Sequence, residues 1–374
     1  MRITDVEAMV LSVGETRDIA DATQESFVVV VTTDKGIRGV GVADSSPWVM
    51  KAIIEAPRSH DKCCGLRDLL IGEDPFKVEI LWEKMYYNTY YYGRAGGAIA
   101  AISAVDIALW DIIGQALGKP IYQLLGGPFR TRVRAYASTL FPESGTHVQE
   151  VSQEARRLVS AGFSAVKFGW GCFGLDPYTD TELVTAARQG LGEKVDLLID
   201  VGMKWDAKTA LMRIQSLIPY HPLWIEEPLP PDDYFGYRRL SESGVQCWIA
   251  AGEEEYTVHG FYRLITTGRV DVIQPDVTRA GGFTECRKIA ALAKVYNLPV
   301  VPHCWSSDIA ILATLHFIAS LPNAPLLEWT VMDSPLRELT ERPPRVENGY
   351  ALIPENPGLG AVLDYKKIEK YRKA

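Results

Sequence analysis

The sequence predicts two units in series: an α+β unit over residues 1–125 and a (β/α) barrel after it. Three observations predict this. After residue 130, β runs and helical stretches alternate, with eight β runs in all, and such alternation makes a parallel sheet. Before that point β patterning gives way once to helical patterning, the order of a sheet followed by helices. Polar residues also recur at the ends of the later β runs at intervals of about one β/α unit. In the first unit, Met1-Arg2-Ile3-Thr4-Asp5 alternates like a strand and carries no secretory apolar core. Phe27–Val31 is a strand run, Asp34-Lys35-Gly36 a turn, and Ile37–Ala43 the return strand. Helical patterning runs from about Phe76 to Leu125. There Gly96-Gly97 opens the apolar-periodic stretch Ile99–Leu117, Gly118 closes it, and Pro120 suits the first turn of a short helix.

Gly126-Gly127-Pro128 breaks the chain and sets the boundary between residues 1–125 and 126–339. The barrel strands are expected at Val133–Ser138, Ala165–Trp170, Leu197–Val201, Leu223–Glu226, Cys247–Ala251, Val272–Gln274, Pro299–Pro302 and Leu326–Trp329. Gly281-Gly282 lacks the frame of a dinucleotide fingerprint. The tail, Val346–Asp364, reads as strand and loop, and residues 340–374 are expected to return to the first unit.

Composition narrows the function classes. With 374 residues, 47% hydrophobic and 23% charged, the chain is of ordinary globular make-up, which excludes disorder, collagen and coiled coil. No apolar run reaches roughly 18 residues, so no membrane span is expected. A net charge of -8 argues against nucleic acid as a partner. It is compatible with an anionic small-molecule substrate if a metal or a few cations sit in the site. The six cysteines show no zinc or CxxC spacing and no nucleophile motif, so a reduced, cytoplasmic compartment is expected.

The chemistry stands at the strand ends. Lys167, Asp200, Glu226-Glu227-Pro228, Gly252-Glu253, Gln274-Pro275-Asp276, Pro302-His303 and Glu328 fall on seven successive strands. From Asp200 onward the intervals are 26, 27, 23, 27 and 25 residues, so these groups should converge at the C-terminal rim, where barrel active sites lie. Asp200, Glu226 and Glu253 would repel one another without a cation between them. An all-oxygen ligand set with open positions suits Mg²⁺. Glu227, Glu254 and Glu255 compete for ligation, and periodicity alone does not choose within each pair. Asp276 beside His303 would fix the imidazole tautomer and raise its basicity, which makes a general base. Glu328 would hydrogen-bond a developing oxyanion or hold a substrate oxygen. Lys167 would neutralise a substrate carboxylate, or form a Schiff base as in an aldolase if its pKa were depressed.

On these residues the chain resembles the enolase superfamily, and within it the mandelate racemase/muconate lactonizing enzyme-like subgroup. The resemblance also rests on Gly72-Glu73-Asp74-Pro75, on Ala104-Val105-Asp106-Ile107-Ala108-Leu109-Trp110-Asp111 and on Leu124-Leu125-Gly126-Gly127. It implies an α+β capping domain on a modified TIM barrel, (β/α)7β, in a protein that is often a homo-oligomer. It implies Mg²⁺ on Asp200, Glu226 and Glu253, a base dyad of Asp276 and His303, and Glu328 as the strand-eight acid. The implied chemistry is removal of the proton α to a carboxylate through a metal-stabilised enediolate. Racemases of the subgroup carry Lys-x-Lys at the second strand. Here the stretch is Lys167-Phe168-Gly169, which withdraws the second base. The expected activity is therefore acid-sugar (aldonate or aldarate) dehydration to a 2-keto-3-deoxy acid. Cycloisomerisation of a sugar lactone or anhydro-sugar acid is the runner-up and a racemase or epimerase the third reading; a binding protein that has lost catalysis is least favoured. Arg17, Asp18, Asp21 and Trp48 of the cap loops are expected to read the distal end of the substrate.

Overall fold

The computed structural model describes residues 1–373. Its first part holds β1 (Ile3–Ser12), β2 (Glu25–Thr33) and β3 (Arg38–Ala43), then helices α1 (Pro47–Glu55), α2 (Leu66–Leu70), α3 (Val78–Asn88), α4 (Gly97–Leu117) and α5 (Ile121–Leu124). Strand and helix then alternate: β4 (Arg132–Leu140), α6 (Val148–Ser160), β5 (Ala165–Gly169), α7 (Pro177–Leu191), β6 (Asp196–Asp200), α8 (Ala207–Leu217), β7 (Pro222–Glu226) and α9 (Tyr234–Glu242). The series continues with β8 (Trp248–Ala251), α10 (Thr257–Arg263), β9 (Val272–Ile273), α11 (Gly282–Val295), α12 (Asp308–Ala319) and β10 (Leu326–Thr330). The tail contributes β11 (Val346–Glu347), β12 (Tyr350–Leu352), α13 (Tyr365–Tyr371) and β13 (Arg372–Lys373).

Strands β4 to β9 pair in parallel in chain order, and β10 returns to pair in parallel with β4. The expected strand Pro299–Pro302 is reduced to a single parallel bridge, Val300 to Ile273. Prolines at 299 and 302 remove two ladder donors from a four-residue run, which explains the shortfall.

Inside the barrel, Tyr136, Ala165, Leu198, Trp224, Ala250, Val272, Val301 and Leu326 form one buried apolar cluster, with one residue from each strand position. Two residues further along each strand stand Ser138, Lys167, Asp200, Glu226, Gly252, Gln274, His303 and Glu328. A strand repeats its face every second residue, so the polar ring lies directly above the apolar floor.

The cap is built on α4. Every residue from Ala98 to Gly114 is buried. The helix is long and apolar enough to cross a membrane, yet 94% of its apolar window is enclosed by protein. Ser103, Asp106 and Asp111 interrupt its apolar sequence. Strand β3 lies directly on it: a Cβ at Gly41 would come within 1.8 Å of the Ala104 carbonyl oxygen, so only glycine permits the approach. Asp111 accepts the backbone N–H of Val40 at 2.9 Å and of Leu359 at 2.7 Å, joining cap sheet, helix and tail. The tail touches both units. Its β11–β12 hairpin pairs antiparallel with β4, and β13 pairs antiparallel with β1.

His316 of α12 sits fully buried where α5, the barrel and the tail meet. Its Nδ1 accepts the Tyr122 N–H at 3.3 Å and its Nε2 donates to the Leu359 carbonyl at 3.1 Å, a pairing only the neutral ring satisfies. Burial pushes its pKa from the ordinary 6.5 down to about 4. Because the folded-state value is depressed, stability is full above about pH 6.5 and is lost as pH falls toward 4. Between pH 7 and pH 5 the native protein should lose about 2 kcal/mol more stability than the His316→Gln variant, read from urea midpoints. Parallel pH profiles for the two proteins would refute this assignment.

Candidate active site

The three carboxylates Asp200, Glu226 and Glu253 meet at the barrel mouth. One oxygen from each lies within 4.8 Å of the others, and all three residues are buried. Their neighbours are held by other partners, although Glu254 also lines the cavity above the cluster. Glu227 accepts the Gly252 N–H at 2.7 Å and the Tyr237 hydroxyl at 2.9 Å. Glu254 faces Arg279 at 3.2 Å, and Glu255 accepts the Tyr234 hydroxyl at 2.5 Å. Register resolves the competition at the Glu226-Glu227 pair: Glu226 lies two residues beyond the floor residue Trp224, whose indole N–H donates to Glu226 Oε2 at 2.8 Å, whereas Glu253, three residues beyond the floor residue Ala250, joins the cluster after Gly252 at φ +130°.

Asp200 is fixed from both sides, by the Gly202 N–H on Oδ1 at 2.9 Å and the Trp170 indole on Oδ2 at 3.2 Å. Burial pushes the Glu226 carboxyl up to about 8 and raises Glu253 as well. Three buried acids within reach of one another, all offering oxygen, fit a hard divalent ion.

Lys167 reaches across the ring. Its ammonium contacts Glu226, Glu328 at 2.8 Å and Asp200 at 3.5 Å. Burial opposes its charge, but Glu226 and Glu328 hold it protonated well above the ordinary lysine value. A Schiff base needs the neutral amine, so the aldolase reading lacks its nucleophile. Glu328 also accepts the Cys304 N–H at 2.9 Å. Against the effect of burial, Lys167 and His303 keep Glu328 below the usual carboxylate range. Ionised, it can accept hydrogen bonds but donates none to an oxyanion, and it is fully buried and does not line the cavity above these groups.

The expected dyad is assembled. Asp276 Oδ2 lies 2.7 Å from His303 Nδ1, and Thr278 fixes Asp276 Oδ1 through its N–H and hydroxyl, each at 2.6 Å. His303 Nε2 is left toward the cavity, 3.7 Å from Glu253 Oε2. Burial disfavours the charged ring, yet Glu253 and Asp276 raise its pKa to about 10.

Gly169 has no room for a side chain. A Cβ there would fall 2.5 Å from Asp200 Cβ, so the absent second lysine is a steric requirement of the way Asp200 is placed.

A cavity of about 340 Å³ opens above these groups. Lys167, Gly169, Asp200, Glu253, Arg279 and His303 border it on the barrel side, and Ile19–Ala22 border it on the cap side. Of the cap residues expected to face substrate, Asp21 lines it, whereas Arg17, Asp18 and Trp48 do not. The Gln24 side chain accepts the Arg17 N–H at 2.6 Å and donates to its carbonyl at 3.0 Å, which folds Ile19–Ala22 inward and leaves the Arg17 side chain 66% exposed. Asp18 is exposed on the same turn, and Trp48 lies on the outer face of α1, away from buried Pro47, Met50 and Ile54.

Sequence reasoning missed Arg279. It lies three residues past Asp276, donates to the Asp44 carbonyl at 2.9 Å and carboxylate at 3.0 Å, and lines the cavity. A cation on the first turn after a strand-end acid was the available signal.

The chain matches two family models: "Mandelate racemase / muconate lactonizing enzyme, N-terminal domain" over residues 6–126, and "Enolase C-terminal domain-like" over residues 150–367. It belongs to the mandelate racemase/muconate lactonizing enzyme family of the enolase superfamily, with the family's capping domain and (β/α)7β barrel. It is 35% identical to an arabinonate dehydratase of Saccharolobus solfataricus over 82% of this chain and 81% of that protein. It is 35% identical to the 3,6-anhydro-D-galactonate cycloisomerase from Zobellia galactanivorans, whose crystal structure superposes with a TM-score of 0.90 over 100% of both chains. A racemase from Streptomyces coelicolor A3(2), solved with bound magnesium, is 29% identical with a TM-score of 0.87 over 99% of this chain and 100% of that one.

Adding one methyl group at Gly169 should therefore cost metal affinity. The Gly169→Ala variant is expected to bind Mn²⁺ at least about tenfold more weakly by calorimetry while keeping the circular dichroism of the parent. Unchanged affinity would refute the steric argument.

Proposed function

We propose that the protein is a magnesium-dependent dehydratase of acid sugars, aldonates or aldarates. The observation that carries this reading is one base on one side of the site: the Asp276–His303 dyad faces the carboxylate cluster, and Gly169 across the barrel mouth admits no second base. Racemisation needs a base on each face of the substrate carbon. Elimination needs only one.

Asp200, Glu226 and Glu253 would hold the ion. Divalent charge held there would stabilise the negative charge that develops on the substrate carboxylate and offset the Glu253 charge that keeps His303 protonated. His303 Nε2 then takes the proton from C2, with Asp276 fixing the ring through Nδ1. The imidazolium returns that proton to the C3 hydroxyl, which leaves as water as the C2–C3 double bond forms. The resulting enol tautomerises to a 2-keto-3-deoxy acid. Glu328, ionised, holds the Lys167 ammonium at 2.8 Å.

A second reading is cycloisomerisation, favoured by the full-length similarity to the Zobellia galactanivorans cycloisomerase. It starts with the same proton abstraction, but a ring C–O bond breaks in place of the C3–OH bond.

Proton NMR in D2O with Mg²⁺ over aldonic, aldaric and anhydro-sugar acids separates the two. Dehydration gives a keto acid with loss of water, and cycloisomerisation gives an isomer of the substrate. His303→Asn should lower kcat by about 10²–10⁴ while leaving Mg²⁺ affinity in place. Borohydride should trap no adduct at Lys167. Undiminished α-proton exchange in His303→Asn would end this reading.

A further inference from the structure

We infer that the site selects sugar acids carrying a single carboxylate and rejects the corresponding diacids, with Asp21 as the specificity-determining residue. This rests on the reading of the site given above.

The cap side of the cavity is walled by Ile19, Ala20 and Ala22, with Trp305 tied to this loop and Asp21 as the charged group among them. Asp21 is buried. Its Oδ1 is taken by the Thr23 N–H at 3.0 Å, the Thr23 hydroxyl at 2.7 Å and the Trp305 indole at 3.2 Å. Oδ2 makes no hydrogen bond, and its nearest cation is the Arg17 guanidinium at 3.8 Å. It is an acceptor for a neutral hydroxyl and a repellent for a second carboxylate.

The cations that do line the cavity are committed. Lys167 is held by Glu226, Glu328 and Asp200. Arg279 is held by Asp44, Glu254 and the Glu253 carbonyl. On the β4 side the lining groups are neutral, and the buried Ser138 hydroxyl has no partner within the protein. A substrate carboxylate at the acid cluster has the charge of the proposed ion to meet. A second carboxylate on the cap side would meet Asp21 and the Trp305 indole, whose N–H is already given to Asp21.

The test uses pairs with matching hydroxyl configuration, galactonate against galactarate and gluconate against glucarate. Binding to Mg²⁺-loaded His303→Asn is measured by calorimetry, so no turnover intervenes. For at least one pair the monoacid should bind at least about 30-fold more tightly than the diacid, and Asp21→Asn, which keeps an acceptor for Trp305, should narrow that gap. Equal or tighter binding of the diacids overturns the inference, as does binding of neither member of any pair. Tight diacid binding that is lost in Arg17→Ala would overturn it in favour of Arg17 swinging inward. If the parent enzyme neither converts nor exchanges any of these acids while the binding preference persists, the dehydratase reading fails and this one stands.

Discussion

The apolar floor of the barrel is the constraint on which the rest depends. Carboxylates of like charge out of water repel one another and lose hydration, and each is costly unless held in place by fixed partners. The floor supplies the fixity. Trp224 and Tyr136 meet edge to face at 5.6 Å between centroids, both fully buried, and the Trp224 indole reaches up to Glu226. One side chain therefore belongs to both layers. The Lys167 ammonium lies 5.9 Å from the Tyr136 ring centroid, so the cation above is also seated on the layer below. Shifting any strand by one residue would exchange floor for wall and remove its polar group from the ring.

The cap is fastened to the barrel beside the Asp276–His303 pair. Arg279, tied to Asp44 of the cap, is three residues from Asp276. Trp305, tied to Asp21 of the cap loop, is two residues from His303. Further out, Asp106 of α4 accepts the Thr284 N–H at 3.0 Å, and the Trp82 indole donates to the Gly281 carbonyl at 2.8 Å. Cap placement and dyad geometry are thus joined through very short stretches of chain. A displaced cap loop would open the cavity and loosen the segment that carries the imidazole.

Much of this was legible in the sequence because spacing encodes convergence. Asp200, Glu226, Glu253, Asp276, His303 and Glu328 stand one β/α unit apart, and the barrel topology brings them together. The choice of Glu226 over Glu227 was not legible from alternation alone, since it depends on which parity faces the floor, and only the packed position of Trp224 fixes that. The steric role of Gly169 was also hidden: the sequence shows a missing lysine, whereas the structure shows Asp200 occupying the space. Loop residues fared worst. Arg17 and Asp21 are four apart on one polar loop, and the Gln24 clasp that turns one outward and the other inward is a tertiary contact with no periodic signature.

Charge balance around the mouth explains why the acids, and not the cations, define the chemistry. Lys167 is enclosed by three acids, and Arg279 by four: Asp44, Glu254, Glu253 at 3.8 Å and Asp276 at 3.9 Å. Both are held protonated well above their ordinary values despite the cost of burial. Neither has an excess of positive charge to offer an incoming anion. On the proposed function, a substrate carboxylate would be repelled by the protein alone, and its binding would become favourable only with additional positive charge held among Asp200, Glu226 and Glu253. The same arithmetic would let His303 act as the proposed base: Glu253, 3.7 Å away, with Glu328 and Asp276 favours the protonated ring, and offsetting the Glu253 charge would weaken the largest of these effects. In the proposed mechanism Glu253 would therefore couple metal, substrate and proton acceptor, so catalytic competence should appear only when the ion is bound.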